Sequence, residues 1–469
     1  MAEQTPQLSG EVHLSRAGCG LRGRTIKAAL WLAGSNIGSQ VLRLVSNLIL
    51  TRLLVPEAFG LVAAANVLYF ALVMFSDLGV WQSVVKRQGE IDSAFLGTAW
   101  SIQLLRGALL AVIVLLLALG LWWAAGEGFF APETVYADPR LPLMMAVFAI
   151  CALVQGAESI NLALAERALH GRLLARLELS GQLTTMLLTV GLAWVFQSVW
   201  ALLLGTVFGG ILRTAMSHLW LPGQRFRPCW ERESAQEILG FGKWIFVSSI
   251  IGFLAGHGEK LILAASLSAA SFGVFSIAGN LLSAVMGVYS TLNGRVIFPS
   301  LSEALRSTDK NVVIRVYGRV QQMADLLLGG LAGGLLMAGH WLVWLLYDAR
   351  YQDAGWMLQY LGLGLLAMRH QVVEQLMFAR GQPAWVSANN ALRAVALIVL
   401  IPLGLKLGGE QGAVLGVVLS QFASWPLSLR FKYEQGLLTW ATELWWLPAL
   451  IGGLAGGAVL DVGLNAILR

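Results

Sequence analysis

Four polar residues follow one face of the first long apolar segment. They are Asn36, Gln40, Arg43 and Asn47. Their spacing of i, i+4, i+7 and i+11 forms one continuous stripe on an α-helix. A later apolar segment carries Lys260 at the position that corresponds to Asn47 in an internal repeat. Because guanidinium and ammonium groups bind phosphates and carboxylates strongly when desolvated, this set predicts a binding site for an anionic substrate.

Further charged residues lie inside apolar segments. A charge at bilayer depth is costly, so such a residue either pairs with another charge to hold helices together or serves transport. We predict that Arg106 and Arg213 extend the anion site. We also predict that a carboxylate, at Asp77, Glu158 or Glu374, couples transport by binding a proton or Na⁺. The alternative for Asp77 is a structural role, accepting backbone or arginine hydrogen bonds near the end of the second span.

The composition determines the elements that must position these residues. The chain is 57% hydrophobic and 12% charged, with a mean hydropathy of +0.70, and it contains repeated apolar runs long enough to cross a bilayer as helices. We therefore predict an all-α polytopic membrane protein. The predicted spans are 26–54, 58–84, 94–125, 141–165, 172–196, 198–221, 237–266, 270–299, 320–347, 353–379, 384–407, 410–430 and 440–462.

An internal repeat divides these spans into two halves. Nine of the 24 positions from Leu48 to Ala71 recur 213 residues later. Six predicted spans separate the two copies, so the halves enter the membrane in the same direction, as parallel repeats. We expect two six-helix bundles around a central cavity, plus about one extra C-terminal helix. The repeated pairs include Leu54 with Leu267, Phe59 with Phe272 and Gly60 with Gly273.

The loops predict domain limits and orientation. Lys and Arg are concentrated in every second loop, which by the positive-inside rule places the N-terminus in the cytoplasm of a bacterial inner-membrane protein. The net charge of +6 is therefore spread over cytoplasmic loops and does not indicate a nucleic-acid binder. The predicted units are a cytoplasmic arm 1–25, a bundle 26–221, a cytoplasmic linker 222–236, a bundle 237–430 and an extra span 431–469.

Cofactor chemistry has little support in the sequence. Cys19, Cys151 and Cys229 lack the spacing of a metal site or a disulfide framework, so we expect neither, and we expect no cofactor. No GxxxxGK[ST] phosphate loop occurs, so the chain does not hydrolyse ATP itself. Among the histidines, His370 is a candidate member of a proton relay because it lies four residues before Glu374.

Several motifs resemble one transporter family. In the first half they are Ser46–Leu54, Pro56-Glu57, Phe59-Gly60, Phe75–Gly79 and Lys86-Arg87; in the second they are Phe241–Trp244, Glu259–Leu263 and Phe272-Gly273. From about residue 25 to 430 the chain resembles the polysaccharide transporter family, the oligosaccharide flippases of the multidrug/oligosaccharidyl-lipid/polysaccharide exporter superfamily.

The resemblance implies a substrate, a cycle and partners. The substrate would be a polyprenyl-diphosphate-linked oligosaccharide, moved from the cytoplasmic to the periplasmic leaflet by rocking of the two bundles. Arg43 and Lys260 would meet the diphosphate or acidic sugars, and Asp77 occupies the acidic position of the motif. A polymerase and a chain-length regulator of the same pathway would be partners. The second half departs from the first, with Ala264-Ala265 in place of Thr51-Arg52.

Two other functions remain open at this point. A drug/cation antiporter of the same superfamily would share the hydropathy, but it should have a cavity dominated by acidic residues. A membrane-embedded polysaccharide polymerase or ligase would need catalytic residues on a large periplasmic loop. The longest such loop, 126–140, has no nucleophile and base pair, so we predict that the protein is not an enzyme.

Overall fold

The computed structural model describes residues 21–87, 92–223, 226–307 and 309–468. Within these ranges the regular structure is helical, apart from an isolated β-bridge between Thr134 and Ser268. The first half contains α1 Leu21–Leu53, α2 Pro56–Phe75, α3 Val80–Lys86, α4 Ser93–Gly126, α5 Arg140–Gly156, α6 Asn161–Arg167, α7 Gly171–Phe196 and α8 Val199–Trp220.

The second half repeats this order and adds an extra helix. It contains α9 Arg232–Ala264, α10 Ala269–Leu292, α11 Phe298–Ala304, α12 Lys310–Leu346, α13 Ala354–Leu363, α14 Leu365–Met368, α15 Gln371–Ala379, α16 Pro383–Phe422, α17 Trp425–Glu434, α18 Trp440–Glu443 and α19 Trp446–Leu468. A π-helical turn, Asn293–Ile297, joins α10 to α11.

The described helices include eight that are long and apolar enough to cross a membrane, and the bent pair α5 and α6 is a ninth candidate. One of the eight extends from Pro383 to Glu434 and is broken at Gly408 and Gly409, where Gly409 has φ 58°. The predicted break between spans 384–407 and 410–430 is thereby confirmed. Helices α1 and α9 are not among these eight.

Several predicted spans are shorter or broken in the structure. The span 58–84 ends at Phe75, because Asp77 accepts a hydrogen bond from the Gly79 amide at 3.0 Å and Gly79 adopts φ 65°, a conformation that suits glycine. The span 141–165 bends by 57° between α5 and α6. The span 353–379 is divided into α13, α14 and α15. The linker is also shorter than predicted, since α9 begins at Arg232.

The repeated glycines form the contact between the two halves. Helices α2 and α10 cross where Gly60 meets Gly273: a methyl group on Gly60 would lie 1.9 Å from the carbonyl oxygen of Ala269, and one on Gly273 would lie 1.9 Å from that of Pro56. Only residues without a side chain allow the backbones to approach this closely. The repeat detected in the sequence thus places its two copies against each other.

Two loops hold the halves together at the same end of the molecule. We call these two loops and the crossing of Gly60 with Gly273 the latch. In the first-half loop, the Val135 amide donates to the Leu267 carbonyl at 3.2 Å and the Tyr136 hydroxyl donates to the Leu261 carbonyl at 3.1 Å. In the second-half loop, the Tyr351 hydroxyl donates to the Leu54 carbonyl at 2.8 Å. Each loop therefore binds the end of the other half's first helix, which is the arrangement expected of parallel repeats.

Arg350 strengthens the second-half side of the latch. Its guanidinium donates to the Thr51 carbonyl at 3.0 Å and the Arg52 carbonyl at 3.3 Å. It also pairs with Asp348, and this hydrogen bond lowers the pKa of the Asp348 carboxyl below its usual value. Arg140 forms the matching pair with Asp138 in the first half. The latch lies at the end predicted to face the periplasm.

At the opposite end the linker packs against the first half. The Ser101 hydroxyl donates to the Cys229 carbonyl at 2.8 Å, and the Glu231 amide donates to the Thr98 hydroxyl at 3.0 Å. Gly97 leaves the space that the Cys229 sulfur occupies, because a methyl group there would lie 2.5 Å from it. Residues 227–231 are therefore packed on α4.

A buried charge cluster holds the C-terminal segments to the second half. Arg369 forms a bidentate pair with Asp325 at 2.7 and 2.8 Å and a third bond to Glu443 at 3.0 Å, and Glu443 also accepts from Lys432 at 2.7 Å. All four side chains are buried and their charges balance. Lys432 lay in a predicted cytoplasmic loop, and nothing in its local sequence indicated burial. The cluster joins α12, α17 and α18.

Candidate functional site

A cavity of about 370 Å³ lies between the two halves, just inside the latch. Phe59 and Leu50 form its wall on the latch side. The rest of the lining combines apolar and polar residues, and both halves contribute the polar ones. The polar lining residues are Asn47, Asn66, Thr189 and Thr206 from the first half and His257, Lys260, Ser276 and Asn280 from the second.

Lys260 is the charged residue of this central cavity. It is half-buried, and no carboxylate in the described part of the chain lies within the 4.0 Å ion-pair distance of its ammonium group. It also lines a second cavity of about 380 Å³ inside the second half, together with Glu259 and Arg393. Lys260 therefore stands on the wall between two cavities with its charge unneutralised by a direct ion pair.

The stripe on α1 faces the second half. Asn47 lines the central cavity, and the Gln40 amide lies 3.1 Å from where a methyl group on Gly287 of α10 would be. Arg43 is located between them on the stripe and is exposed, as is Asn36. Arg43 shares the face of Asn47 and Gln40, about one helical turn farther from the latch, and it does not line the central cavity.

Arg106 lies in a separate place within the first half. Its guanidinium donates to the Val73 carbonyl at 2.8 Å and the Ser76 hydroxyl at 3.2 Å, at the end of α2. It lines a cavity of about 370 Å³ together with Asp77 and Glu158. The Val73 carbonyl, near the end of α2, accepts from both Arg106 and the Ser76 hydroxyl, which favours a structural role of Arg106 over substrate binding.

Arg213 is also engaged by carboxylates. Its guanidinium lies 3.6 Å from Glu158 and 3.6 Å from Glu178, and it does not line the central cavity. Both of its neighbours supply negative charge, so an anionic substrate would have to compete with them. The structure therefore brings Asn47 and Lys260 together, places Gln40 and Arg43 near them, and leaves Arg106 and Arg213 elsewhere.

The three predicted coupling carboxylates each have a partner. Asp77 accepts from the Gly79 amide, Glu158 pairs with Arg213, and Glu374 lies 2.9 Å from Arg393. The geometry at Asp77 agrees with the structural alternative for that residue. His370 is buried against the Trp425 ring at 5.1 Å, and neither ring nitrogen has a hydrogen-bond partner among the described residues. In this conformation His370 is not connected to Glu374 by a side-chain hydrogen bond.

Two features of the site were not predicted from the sequence. Glu259, next to Lys260, has a buried carboxylate oxygen without a hydrogen-bond partner in the described chain. On α10, Gly279, Ser283 and Met286 line the cavity inside the second half. Ser276 and Asn280, about 100° away around the helix, face the central cavity. The i, i+4 spacing of Ser276 and Asn280 was the sequence signal that could have identified this face of α10.

Paired helical bundles with a polar cavity between them define a membrane transporter of the parallel-repeat type. The particular family follows from comparison with known proteins. A family model described as "Polysaccharide biosynthesis protein" matches residues 49–355, and the chain belongs to that family. It is a multi-pass polysaccharide transporter of the multidrug/oligosaccharidyl-lipid/polysaccharide exporter superfamily, as the motifs predicted.

Two curated proteins are similar over most of their length. One is the "Lipopolysaccharide biosynthesis protein WzxC" of Escherichia coli (strain K12), 24% identical over 94% of this chain and 89% of that protein. The other is an "Uncharacterized membrane protein in cps region" of Klebsiella pneumoniae, 22% identical over 88% of this chain and 82% of that protein.

Solved structures share the fold. The inward closed conformation of the lipid II flippase MurJ superposes with a TM-score of 0.69 at 10% identity, covering 94% of this chain and all of that one. An inward-facing multidrug resistance MATE transporter gives 0.61 at 13% identity, covering 88% and 99%. The predicted fold class is confirmed, and so is the prediction of a transporter that is not an enzyme.

Proposed function

We propose that this protein is a flippase that translocates a polyprenyl-diphosphate-linked oligosaccharide from the cytoplasmic to the periplasmic leaflet for exopolysaccharide, capsule or O-antigen assembly. The observation that carries the proposal is the central cavity, which combines amide and hydroxyl groups from both halves with the ammonium group of Lys260. Amides and hydroxyls suit the hydroxyl groups of sugars, and a cation without an ion-pair partner suits a diphosphate or an acidic sugar.

Arg43 extends this site away from the latch. An approaching diphosphate would meet Arg43 first and Lys260 deeper in the cavity, since Lys260 shares its cavity with Asn47, one turn beyond Arg43 on α1. The polyprenyl chain would stay in lipid while the polar head occupies the space between the halves.

The size of the cavity requires the halves to move. Its volume of about 370 Å³ is comparable to a pocket for a drug-sized molecule and too small for an oligosaccharide head. The bundles therefore have to separate on one side to admit the head and on the other to release it, with the latch opening in the second step. Rocking about the α2 and α10 crossing would provide this motion.

Coupling to an ion gradient is proposed to use a carboxylate, with Asp77 first, Glu158 second and Glu374 third. Reconstituted Asp77→Asn and Glu158→Gln proteins test this assignment. A coupling residue should lose the response of substrate movement to an imposed gradient while substrate binding is retained. If both variants follow the gradient as the parent does, Glu374→Gln becomes the decisive variant.

The cation site is tested by reconstitution with a fluorescent lipid-diphosphate oligosaccharide whose head is quenched from outside the vesicle. Arg43→Ala and Lys260→Ala should each abolish translocation with normal protein amounts. Arg43→Lys should rescue only partly, because the bidentate geometry is lost. The matched control is Arg319→Ala, an exposed cation on α12 that lines none of the cavities described. Normal translocation by the Arg43→Ala, Lys260→Ala double variant would remove the cationic site.

The same vesicle assay distinguishes a flippase from an antiporter. The MATE-like fold is compatible with both functions. A flippase should move the lipid-linked head and ignore organic cations, whereas an antiporter should exchange an organic cation for protons or Na⁺. Cation exchange without movement of the lipid-linked head would replace the proposed function.

A further inference from the structure

A second cationic site lies on the outer surface of the first half, at the end opposite the latch. A cavity of about 490 Å³ opens between the start of α1 and the start of α7. Three cations line it: Lys27 from α1 and Arg172 and Arg176 from α7. All three are exposed, and His170 stands beside them. This cavity shares no lining residue with the central one.

The charge of this cavity is unbalanced. None of its lining residues in the described part of the chain is acidic. Arg213, on the neighbouring helix α8, shows the contrast, since two glutamates lie 3.6 Å from its guanidinium. The first turn of α7 adds amide groups to the same positive region, because no side chain caps this helix start.

Apart from His170, the remaining lining residues are apolar. They are Ala28, Trp31, Leu169, Gly171, Leu173 and Pro222. Trp31 is 49% exposed, and the Arg172 guanidinium lies over its ring at 5.8 Å. A methyl group on Gly171 would lie 2.6 Å from the Cα of Ala28, so α1 and α7 are in direct backbone contact here. Three cations beside an apolar surface fit a molecule with an anionic head and a hydrocarbon tail.

We propose that this cavity binds an anionic phospholipid, with its phosphate on Lys27, Arg172 and Arg176 and its acyl chain along Trp31 and Leu173. The apolar lining and the position at the ends of two bilayer-length helices favour a lipid over free phosphate, which would use only the cations. Basic pockets between transmembrane helices on the cytoplasmic side recognise such headgroups by the same chemistry. The bound lipid would fix the start of α1, the helix that carries the stripe of the candidate site.

The test compares two triple variants of the full-length protein. Lys27→Gln, Arg172→Gln, Arg176→Gln removes the proposed site, and Lys310→Gln, Arg315→Gln, Arg319→Gln removes the same charge from α12 of the other half. Native mass spectrometry of detergent-solubilised protein titrated with phosphatidylglycerol measures binding. Each cation near an anionic headgroup contributes roughly fivefold, so the first triple variant should bind about 100-fold more weakly and the second should match the parent.

Two further measurements test whether binding is specific for an anionic lipid. Phosphatidylcholine should bind all three proteins equally weakly, and millimolar inorganic phosphate should not displace phosphatidylglycerol from the parent. The single Arg172→Gln variant should bind phosphatidylglycerol about fivefold more weakly than the parent. This variant replaces the triple variant if the triple variant unfolds. Equal phosphatidylglycerol binding by both triple variants would overturn the proposal, and displacement by inorganic phosphate would replace the lipid with a free anion. Translocation is not measured here, so failure of the proposed function would leave these results unchanged.

Discussion

Removing the hydroxyl groups of the latch should shift the protein towards a state that is open at the latch end. Tyr351→Phe removes the donor to the buried Leu54 carbonyl, and Tyr136→Phe removes the donor to the Leu261 carbonyl. Each bond contributes about 1 kcal/mol net to the closed state. The double variant should favour opening by about 2 kcal/mol, or roughly 30-fold in the ratio of open to closed protein.

The assay is labelling of a cysteine placed in the central cavity. Asn280→Cys, in a protein whose native cysteines are replaced by serine, should react with a membrane-impermeant maleimide added on the latch side only when the latch opens. The double variant should label about 30-fold faster than the parent, with each single variant between them.

Tyr433→Phe is the matched control, because this tyrosine is 75% exposed and lies outside the latch. It should label at the parent rate. Parent-like labelling of the double variant would show that the two hydroxyls do not hold the halves together, and the reasoning from the hydrogen bonds would fail. An equal rise in Tyr433→Phe would point to general loosening of the fold.

Four further predictions concern other contacts. Gly273→Leu should keep the halves apart and speed labelling of Asn280→Cys, because even a methyl group at Gly273 would meet the Pro56 carbonyl oxygen; an unchanged rate would contradict the close crossing. Arg369→Met should destabilise the protein by about 3–5 kcal/mol in thermal or denaturant unfolding, since the buried Asp325 loses its ion-pair partner and Glu443 keeps only Lys432, and Asp325→Asn should cost less. The lowered pKa of Asp348 means that its contribution to the latch is present above pH about 4 and lost as the pH falls below it, so labelling should be flat between pH about 6 and 8. Reporter fusions near Lys310 and near Pro132 should report opposite sides of the membrane, with Lys310 cytoplasmic; the same side for both would contradict the parallel repeat.

The sequence predicted the relation between the halves better than the details of each helix. The paired Gly60 and Gly273 were visible because a repeat preserves spacing, and the structure shows them in contact. The end of α2 was missed, although Asp77 and Gly79 are residues that favour turns, because hydropathy continues through them. Periodicity locates an apolar stretch but does not determine where a backbone turn interrupts it.

The candidate site was partly predictable for the same reason. The stripe on α1 could be read from spacing alone, and Lys260 followed from the repeat. The facing side of α10 could not, because a rotation of one residue moves a side chain by about 100°, and only packing against the other half determines which face lines the cavity. The partners of Arg213 and Lys432 are distant in the chain or in a different helix, so sequence could show the charges but not their pairing.

The latch closes on main-chain groups, and this makes the seal reversible. The carbonyls of Thr51 and Arg52 belong to the last turn of α1. The Leu261 carbonyl belongs to the last turn of α9, where it also accepts from the Ala265 amide. On opening, water or lipid headgroups can take the place of the loop donors at these main-chain acceptors. A transporter has to open and close the latch on every turnover. This is easier when the open and closed states of the latch have nearly equal numbers of satisfied hydrogen-bonding groups.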